Sequence, residues 1–344
     1  MKEWESPASA EQIEHVLLMQ NRAANIHRFR QRVNRLSAIL FICLGAQVVL
    51  NIFLGILLIS GVSFDSFWGG TFFLQLFYTL LYAIPVFFGG CAALRLSPRE
   101  FLLREKGNVG QKILAVFACL AGAMLANVVV STLLEFLKNV FGGEISSTMS
   151  SLLLPEDVPG WIAYFFLVCI LPAFVEELIF RGLILGSLAG INRLWALLIS
   201  AVLFGAFHGT LDQIPFAILV GLMLGAACLY FRSIYVAMAI HAANNFISVI
   251  MQLVSTYCDE KTANRISLLL MGSLILIGTV CFVVLVAFRP EKSERPEKPA
   301  DTATSLSNAS AGRAAVSAPV LWVFLVVQIL WAIGINYLST LPVG

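Results

Sequence analysis

The sequence predicts an all-α fold, a polytopic bundle of about nine transmembrane helices, from three observations. First, 59% of the 344 residues are hydrophobic and 12% are charged, with a mean hydropathy of +0.88, whereas soluble domains carry about 25% charged residues. Second, apolar runs recur at about 20 residues, the length that crosses about 30 Å of hydrocarbon. Third, positive residues cluster on one side of these runs.

The apolar runs place nine spans along the chain, with very short connections between residues 181 and 234. They form a predicted eight-helix core followed by a C-terminal span. In order, the spans are 37–60, 72–94, 112–134, 161–181, 194–209, 214–231, 234–256, 266–288 and 318–339.

Lysine and arginine orient the bundle, because short cytoplasmic loops retain positive charge. With a cytoplasmic N-terminus, nineteen of the 22 Lys and Arg residues, Arg181 among them, fall on the inner side. Lys138, Lys261 and Arg265 remain outside. The pattern predicts a cytoplasmic N-terminus and an external C-terminus.

Composition divides the chain into five segments. Residues 1–35 are basic and are predicted to form an interfacial or a solvated cytoplasmic helix. Residues 36–109 hold the first two spans and an inner loop, and 110–288 form the core that carries the candidate site. Residues 289–316, rich in Pro, Ser, Ala and charge, predict a disordered cytoplasmic linker. It leads to the last span in 317–344, which we expect to be an appendage.

Several functional classes lack their sequence signatures. The seven cysteines are scattered through apolar segments and match neither a disulfide framework nor a zinc motif. No basic and aromatic pattern indicates nucleic-acid binding, and no glycine-rich phosphate loop follows a strand. The polar residues 1–35 do not resemble a cleavable targeting peptide. We therefore expect a multi-pass protein of a bacterial plasma membrane.

A pair of glutamates lies inside the fourth predicted span. Charge in hydrocarbon is costly, so intramembrane ionisable residues indicate function. Successive helical residues point about 100° apart, so Glu176 and Glu177 should have different roles. Arg181 lies four residues after Glu177, in the favourable order for a helical ion pair. We interpret Glu177 and Arg181 as a structural pair, which leaves Glu176 free for chemistry.

Two later spans each carry a histidine four residues from a side chain that could shield it or share its hydrogen-bonding role. Phe204 lies four residues before His208 and can wall one side of its imidazole. His241 and Asn245 share a helix face and offer hydrogen-bond donors about one turn apart. Each histidine alone is typical of packing, whereas polar groups on three spans that are close in sequence indicate a common site. Small residues four apart, such as Gly205 with Gly209 and Gly221 with Gly225, predict close helix packing.

These motifs resemble the three signatures of the CAAX-protease and bacteriocin-processing family of intramembrane proteases, also called the Abi family. The matching positions are Glu176-Glu177-x-x-x-Arg181, Phe204-x-x-x-His208 and His241-x-x-x-Asn245, in this order on consecutive helices. The resemblance covers roughly residues 110–256.

The resemblance implies a glutamate-dependent endopeptidase. Glu176 would act as the general base on a water molecule, and His208 would orient that water or share its proton. His241 and Asn245 would stabilise the oxyanion of the tetrahedral intermediate. These roles are physically sensible, because preorganised donors are most effective where the dielectric constant is low.

Zinc chemistry is the main alternative to this mechanism. Glu176, His208 and His241 would supply one oxygen and two nitrogens, the donor set of an open catalytic zinc site. Against zinc, the His-Glu-x-x-His helix is absent and Asn245 would have no role. We therefore expect no cofactor, with Zn²⁺ as the alternative.

A buried site among helices favours a hydrophobic or lipid-bearing peptide substrate within the bilayer. The family resemblance implies a CAAX-like tail, a leader peptide or a signalling peptide. Two other classes remain open. Glu176, His208 and His241 could form the relay of a proton- or cation-coupled secondary transporter, or the chain could be a non-proteolytic bacteriocin-immunity protein that retains the motifs.

Overall fold

The computed structural model describes residues 10–62, 64, 66–96, 107–141, 153–288 and 305–340. Within these ranges the chain is helical and contains no strand, which confirms the predicted all-α bundle. Twelve α-helices occur in the described residues: α1 Ala10–Ile59, α2 Leu74–Leu94, α3 Val109–Phe141, α4 Val158–Phe165, α5 Leu171–Glu177, α6 Gly186–Ala189, α7 Arg193–Phe207, α8 Gln213–Phe231, α9 Ile234–Tyr257, α10 Glu260–Ala287, α11 Asn308–Val316 and α12 Pro319–Thr340.

Seven of the described helical runs are long and apolar enough to cross a membrane. Two shorter apolar helices, Ala83–Leu94 and Arg193–Phe207, accompany them. Each of the nine predicted spans therefore has a helix at its position. The chain is a multi-pass membrane protein.

The N-terminal segment is continuous with the first span. Helix α1 runs without a break through residue 35, where the sequence suggested a boundary between a surface helix and the membrane. Residues 14–24 are exposed, whereas Phe29 and Val33 are completely buried against the bundle. An apolar stripe on the second half of the basic segment therefore makes it part of the packed core.

The fourth span is longer than predicted and mixes two helical geometries. Helix α4 begins at Val158 and is capped by Asp157, whose side chain accepts a hydrogen bond from the Gly160 amide. From there, π-helical segments Phe166–Ile170 and Leu178–Leu185 alternate with α5 and α6, so one helical run extends to residue 189. The sequence ended this span at residue 181, and the charge count placed Arg181 at its inner end. Arg181 is instead 2% exposed, inside the bundle.

Helices α7 and α8 form a closely packed antiparallel pair. A Cβ atom added to Gly221 would lie 3.2 Å from the Ala201 Cα, and one added to Gly205 would lie 2.9 Å from the Ile214 carbonyl oxygen. These glycines therefore let the two backbones approach, as their spacing predicted. Gly209 has a different role, because it adopts a φ of +68° in the turn between the helices.

The C-terminal region contradicts part of the predicted linker. Residues 289–304 lie outside the described residues, but Asn308–Val316 form α11 within the segment predicted to be disordered. Ser307 caps this helix by accepting a hydrogen bond from the Ser310 amide, and Ala311 and Ala314 are buried. Small residues, which read as linker composition, allow α11 to lie close to α1 and α7.

Candidate active site

Proline shapes the helix that carries the two glutamates. Pro172 lies near the start of α5, directly after the π-helical segment Phe166–Ile170. Because Pro172 has no N–H, it cannot donate to the carbonyl of Val168, four residues earlier. That carbonyl instead accepts a hydrogen bond of 3.2 Å from Asn245 Nδ2 on α9. The irregular backbone thus joins the glutamate helix to the His241 helix.

Glu177 is a completely buried carboxylate with two cationic or donor partners. Arg181 Nη1 donates to Glu177 Oε1 at 2.7 Å, and His241 Nδ1 lies 2.9 Å from the same oxygen. Arg181 Nη2 also donates to the Gly221 carbonyl at 3.1 Å. The contact expected between Glu177 and Arg181 is therefore present. Its link to His241, 64 residues away, was not expected from sequence.

Phe204 lies at the centre of the cationic and imidazole groups. The Arg181 guanidinium carbon is 4.3 Å from its ring centroid, in cation–π contact. The rings of His208 and His241 meet the Phe204 ring edge-to-face, with centroids 4.8 Å and 5.7 Å away. Phe204 thus contacts Arg181 and both imidazoles with a single ring.

Backbone geometry orients His208. This residue caps the C-terminus of α7, and its Nδ1 lies 2.9 Å from the Phe204 carbonyl oxygen. A carbonyl oxygen only accepts, so Nδ1 carries the hydrogen. In the neutral imidazole, Nε2 is then the acceptor.

His241 lies between the two glutamates. Its Nδ1 contacts the inner carboxylate of Glu177, and its Nε2 is 4.0 Å from Glu176 Oε2. Glu176 Oε2 is buried and has no hydrogen-bond partner among the described residues. Adjacent glutamates thus contact opposite edges of one imidazole, because their side chains leave the helix in different directions.

A cavity of about 520 Å³ collects most of these groups. Phe204, His208, His241 and Asn245 all line it. Glu176 reaches this group through its approach to His241 Nε2, whereas Glu177 and Arg181 lie behind the imidazole and are fully enclosed. The structure therefore brings the sequence-predicted residues into one region of the bundle.

The cavity also contains polar residues that sequence reasoning missed. Asp212, Asn244 and Ser248 line it, together with Asn127 and Ser131 of α3. Helical spacing could have indicated Asn244 and Ser248, because Asn244 follows His241 by three residues and Ser248 follows Asn244 by four on the same helix. Asp212 lies in the turn after α7, where helical spacing does not apply. No spacing links Asn127 or Ser131 to the motifs, since they lie on a helix that is distant in sequence.

A catalytic zinc ion needs about three protein donors around one point. No group of three His, Cys, Asp or Glu residues within the described ranges is arranged to hold a metal ion. His208 and His241 each direct Nδ1 to a protein oxygen, which leaves Nε2 of both rings open and does not itself argue against a metal. On the donor count, we derive no catalytic step through a metal.

The region between α4 and α9 also matches a known protein family. Residues 158–247 match the family model "Type II CAAX prenyl endopeptidase Rce1-like". All three motifs lie within this matched region. Neither the curated proteins nor the solved structures that were searched gave a match. The resemblance read from the three motifs is confirmed over residues 158–247. The matched family model supports an intramembrane peptidase as the general activity.

Proposed function

We propose that the protein is an intramembrane endopeptidase that uses Glu176 and His208 to activate water. The observation that carries the proposal is the meeting of His208, His241 and Asn245 around one cavity, with Glu176 Oε2 4.0 Å from His241 Nε2. Two imidazoles and an amide line the cavity, and the Glu176 carboxylate approaches one of these imidazoles from beside it. Together they could provide a base and donors for a developing negative charge.

In the proposed reaction, the first step is attack by water on the peptide carbonyl. Glu176 accepts one proton from a water molecule that His208 Nε2 orients by accepting a hydrogen bond from it. The water oxygen forms a bond to the carbonyl carbon, and the carbonyl π electrons move to its oxygen. Glu176, now protonated, transfers that proton to the amide nitrogen. The C–N bond then breaks and yields a carboxylic acid and an amine.

His241 and Asn245 are placed to stabilise the oxyanion. Asn245 has two N–H donors, of which one is committed to the Val168 carbonyl. The second remains for substrate. His241 donates from Nε2 when that nitrogen carries a proton, while Glu177 holds Nδ1. Loss of one such donor typically slows acyl transfer by about 100-fold or more.

The substrate class follows from the position of the cavity within apolar helices. A peptide that reaches it must enter from the bilayer or its surface, which favours a hydrophobic or lipid-bearing segment. The family description names prenyl endopeptidases, so a prenylated CAAX-like tail is the first class to test, followed by leader and signalling peptides. We propose no cofactor, and Zn²⁺ is tested below.

For orientation, we propose a cytoplasmic N-terminus and an external C-terminus in a bacterial plasma membrane. Buried Arg181 should not be counted among the inner loop charges. The excess of Lys and Arg on the predicted inner side stays large without it, because the other inner residues are unaffected. Reporter fusions at both termini measure the orientation directly.

Membrane peptidomics tests the proposed function. Membranes from cells that express the wild type or Glu176→Gln are compared, with Glu135→Gln, an exposed glutamate of α3, as the matched control. We expect peptides that disappear in Glu176→Gln and persist in the control. An unchanged peptide set would overturn the peptidase, and loss of cation-coupled uptake in proteoliposomes would then favour the transporter. Metal analysis of the active protein decides between water activation by Glu176 and zinc chemistry.

A further inference from the structure

The C-terminal helix α12 contributes a buried polar residue to the middle of an apolar span. Gln328 is 1% exposed, and its Oε1 is buried without a hydrogen-bond partner among the described residues. An unsatisfied buried amide is destabilising, and polar groups at membrane depth usually have a function. The position of Gln328 in the bundle therefore requires an explanation.

Gln328 faces the turn that follows His208. A Cβ atom added to Gly209 would lie 3.9 Å from Gln328 Oε1 and 3.5 Å from Trp331 Cδ1. Gly209 has a φ of +68°, so a glycine gives this turn its left-handed conformation without strain. Helix α12 thus covers the backbone immediately after His208.

The turn carries further buried oxygens that lack partners. Thr210 Oγ1 and Asp212 Oδ1 are both buried and have no hydrogen-bond partner among the described side chains and backbone. Gln328 Oε1 approaches the same turn from α12, whereas Asp212 also lines the site cavity. Buried polar groups of this kind are normally satisfied by ordered water.

Hydrogen bonds outside the membrane core hold α12 in place. Asn192 Nδ2 donates to the Leu306 carbonyl at 3.0 Å and to Asn308 Oδ1 at 2.9 Å, and Trp195 Nε1 donates to the Asn308 carbonyl at 2.8 Å. Asn34 Oδ1 accepts from the Val320 amide at 3.1 Å. These bonds join α11 and α12 to α1 and α7, so the register of Gln328 against the turn is fixed at several points.

We infer that Gln328 is a positioning residue for His208, although it lies outside the Rce1-like region. The inference rests on the proposed function for its catalytic consequence. Gln328 and Trp331 hold the turn at Gly209, directly or through water. The position of this turn keeps the hydrogen bond from His208 Nδ1 to the Phe204 carbonyl and leaves Nε2 for the reacting water. The C-terminal span is then a working part of the site and more than a membrane anchor.

Histidine NMR tests the inference without a substrate. The chain has four histidines, so ¹⁵N-histidine labelling gives few signals, and His208→Asn assigns the one of interest. Gln328→Met keeps the side-chain length and removes the amide, and Ile329→Leu, at a half-exposed neighbouring position, is the control. We expect His208 to lose its single Nδ1–H tautomer in Gln328→Met while His241 is unchanged. An unchanged His208 spectrum in a folded variant would overturn the inference.

A kinetic measurement adds the catalytic consequence. On a peptide found by the membrane comparison, Gln328→Met should lower kcat by about 10- to 100-fold, as small misplacements of catalytic groups do, with little change in KM. Gln328→Glu, which keeps the side-chain oxygen, should restore part of the rate. Equal kcat in wild type and Gln328→Met would contradict the inference. The two hypotheses fail separately. If Glu176→Gln leaves the membrane peptides unchanged, the peptidase is refuted, but the His208 spectrum still tests whether Gln328 positions His208.

Discussion

Two cavities of nearly equal size lie in different parts of the bundle. The site cavity, of about 520 Å³, is lined by His208, Asp212, His241 and Asn245. The other, of about 500 Å³, lies between α3, α8 and α10 and is lined mainly by alanine, glycine and large apolar side chains, with Cys119, Tyr230 and Thr279 as the polar exceptions. The two cavities therefore differ in the chemistry of the residues that line them and hardly in volume.

The comparison shows what distinguishes a cavity that could support a reaction from one formed by packing alone. An apolar cavity among helices needs packing alone, and its small residues, such as Ala118 and Gly122, leave the space. The site cavity requires buried charges, and those charges need support from behind. Glu177 and Arg181 supply that support, and no comparable buried ion pair lies among the residues that line the apolar cavity.

The largest effect should come from breaking the buried ion pair. Arg181→Ala leaves Glu177 charged and enclosed, at a cost of about 3–5 kcal/mol in stability. Thermal unfolding in detergent measures this loss, with Arg193→Ala, an exposed arginine at the start of α7, as the control. If the neutral double variant Glu177→Gln/Arg181→Met is as unstable as Arg181→Ala, the charge-support explanation is wrong.

The next effect concerns the oxyanion donors. Asn245→Ala should slow peptide cleavage by about 100-fold or more, because it removes a donor that lines the site cavity. Thr279→Ala, in the apolar cavity, should leave the rate unchanged. Rates on one purified peptide substrate measure both variants. Similar losses in the two would show that the cavities do not differ in function as their linings predict.

Filling each cavity sharpens the comparison at a smaller scale. Ser248→Phe places a ring in the site cavity, and Ala118→Phe does the same in the apolar one. Each overpacked variant should lose about 1–3 kcal/mol of stability, yet only Ser248→Phe should block cleavage. Thermal unfolding and peptide cleavage are measured on the same samples. If Ala118→Phe blocked cleavage and Ser248→Phe did not, the reaction would have to be assigned to the apolar cavity.

The smallest effect is expected at the turn beside His208. Gly209→Ala forces an alanine into a φ of +68° and should cost about 1 kcal/mol. The added Cβ meets the Trp331 ring only at ordinary contact distance. Thermal unfolding checks this value, with Gly190→Ala, where a Cβ would meet nothing within 4 Å, as the control. A loss above about 3 kcal/mol would indicate a tighter contact with α12 than the distances imply.

Local patterns predicted much of this molecule and left specific parts open. Span positions followed from apolar length, and the Glu177–Arg181 contact followed from four-residue spacing within one helix. The pattern misread α11, because small and polar residues suit both a linker and a helix packed closely against its neighbours. The charge count also grouped Arg181 with the inner-side residues, although the same sequence paired it with Glu177 inside the span.

The amino-acid sequence alone determined the membrane class, the helix order and the three motifs of the Rce1-like region, because these depend on residue type and short-range spacing. Tertiary structure decided which imidazole contacts which carboxylate, how Asn245 meets the carbonyl that Pro172 leaves free, and where Gln328 lies against the His208 turn. Those contacts join residues 60 or more positions apart. Their geometry depends on π-helical turns and helix packing, which no local periodicity encodes.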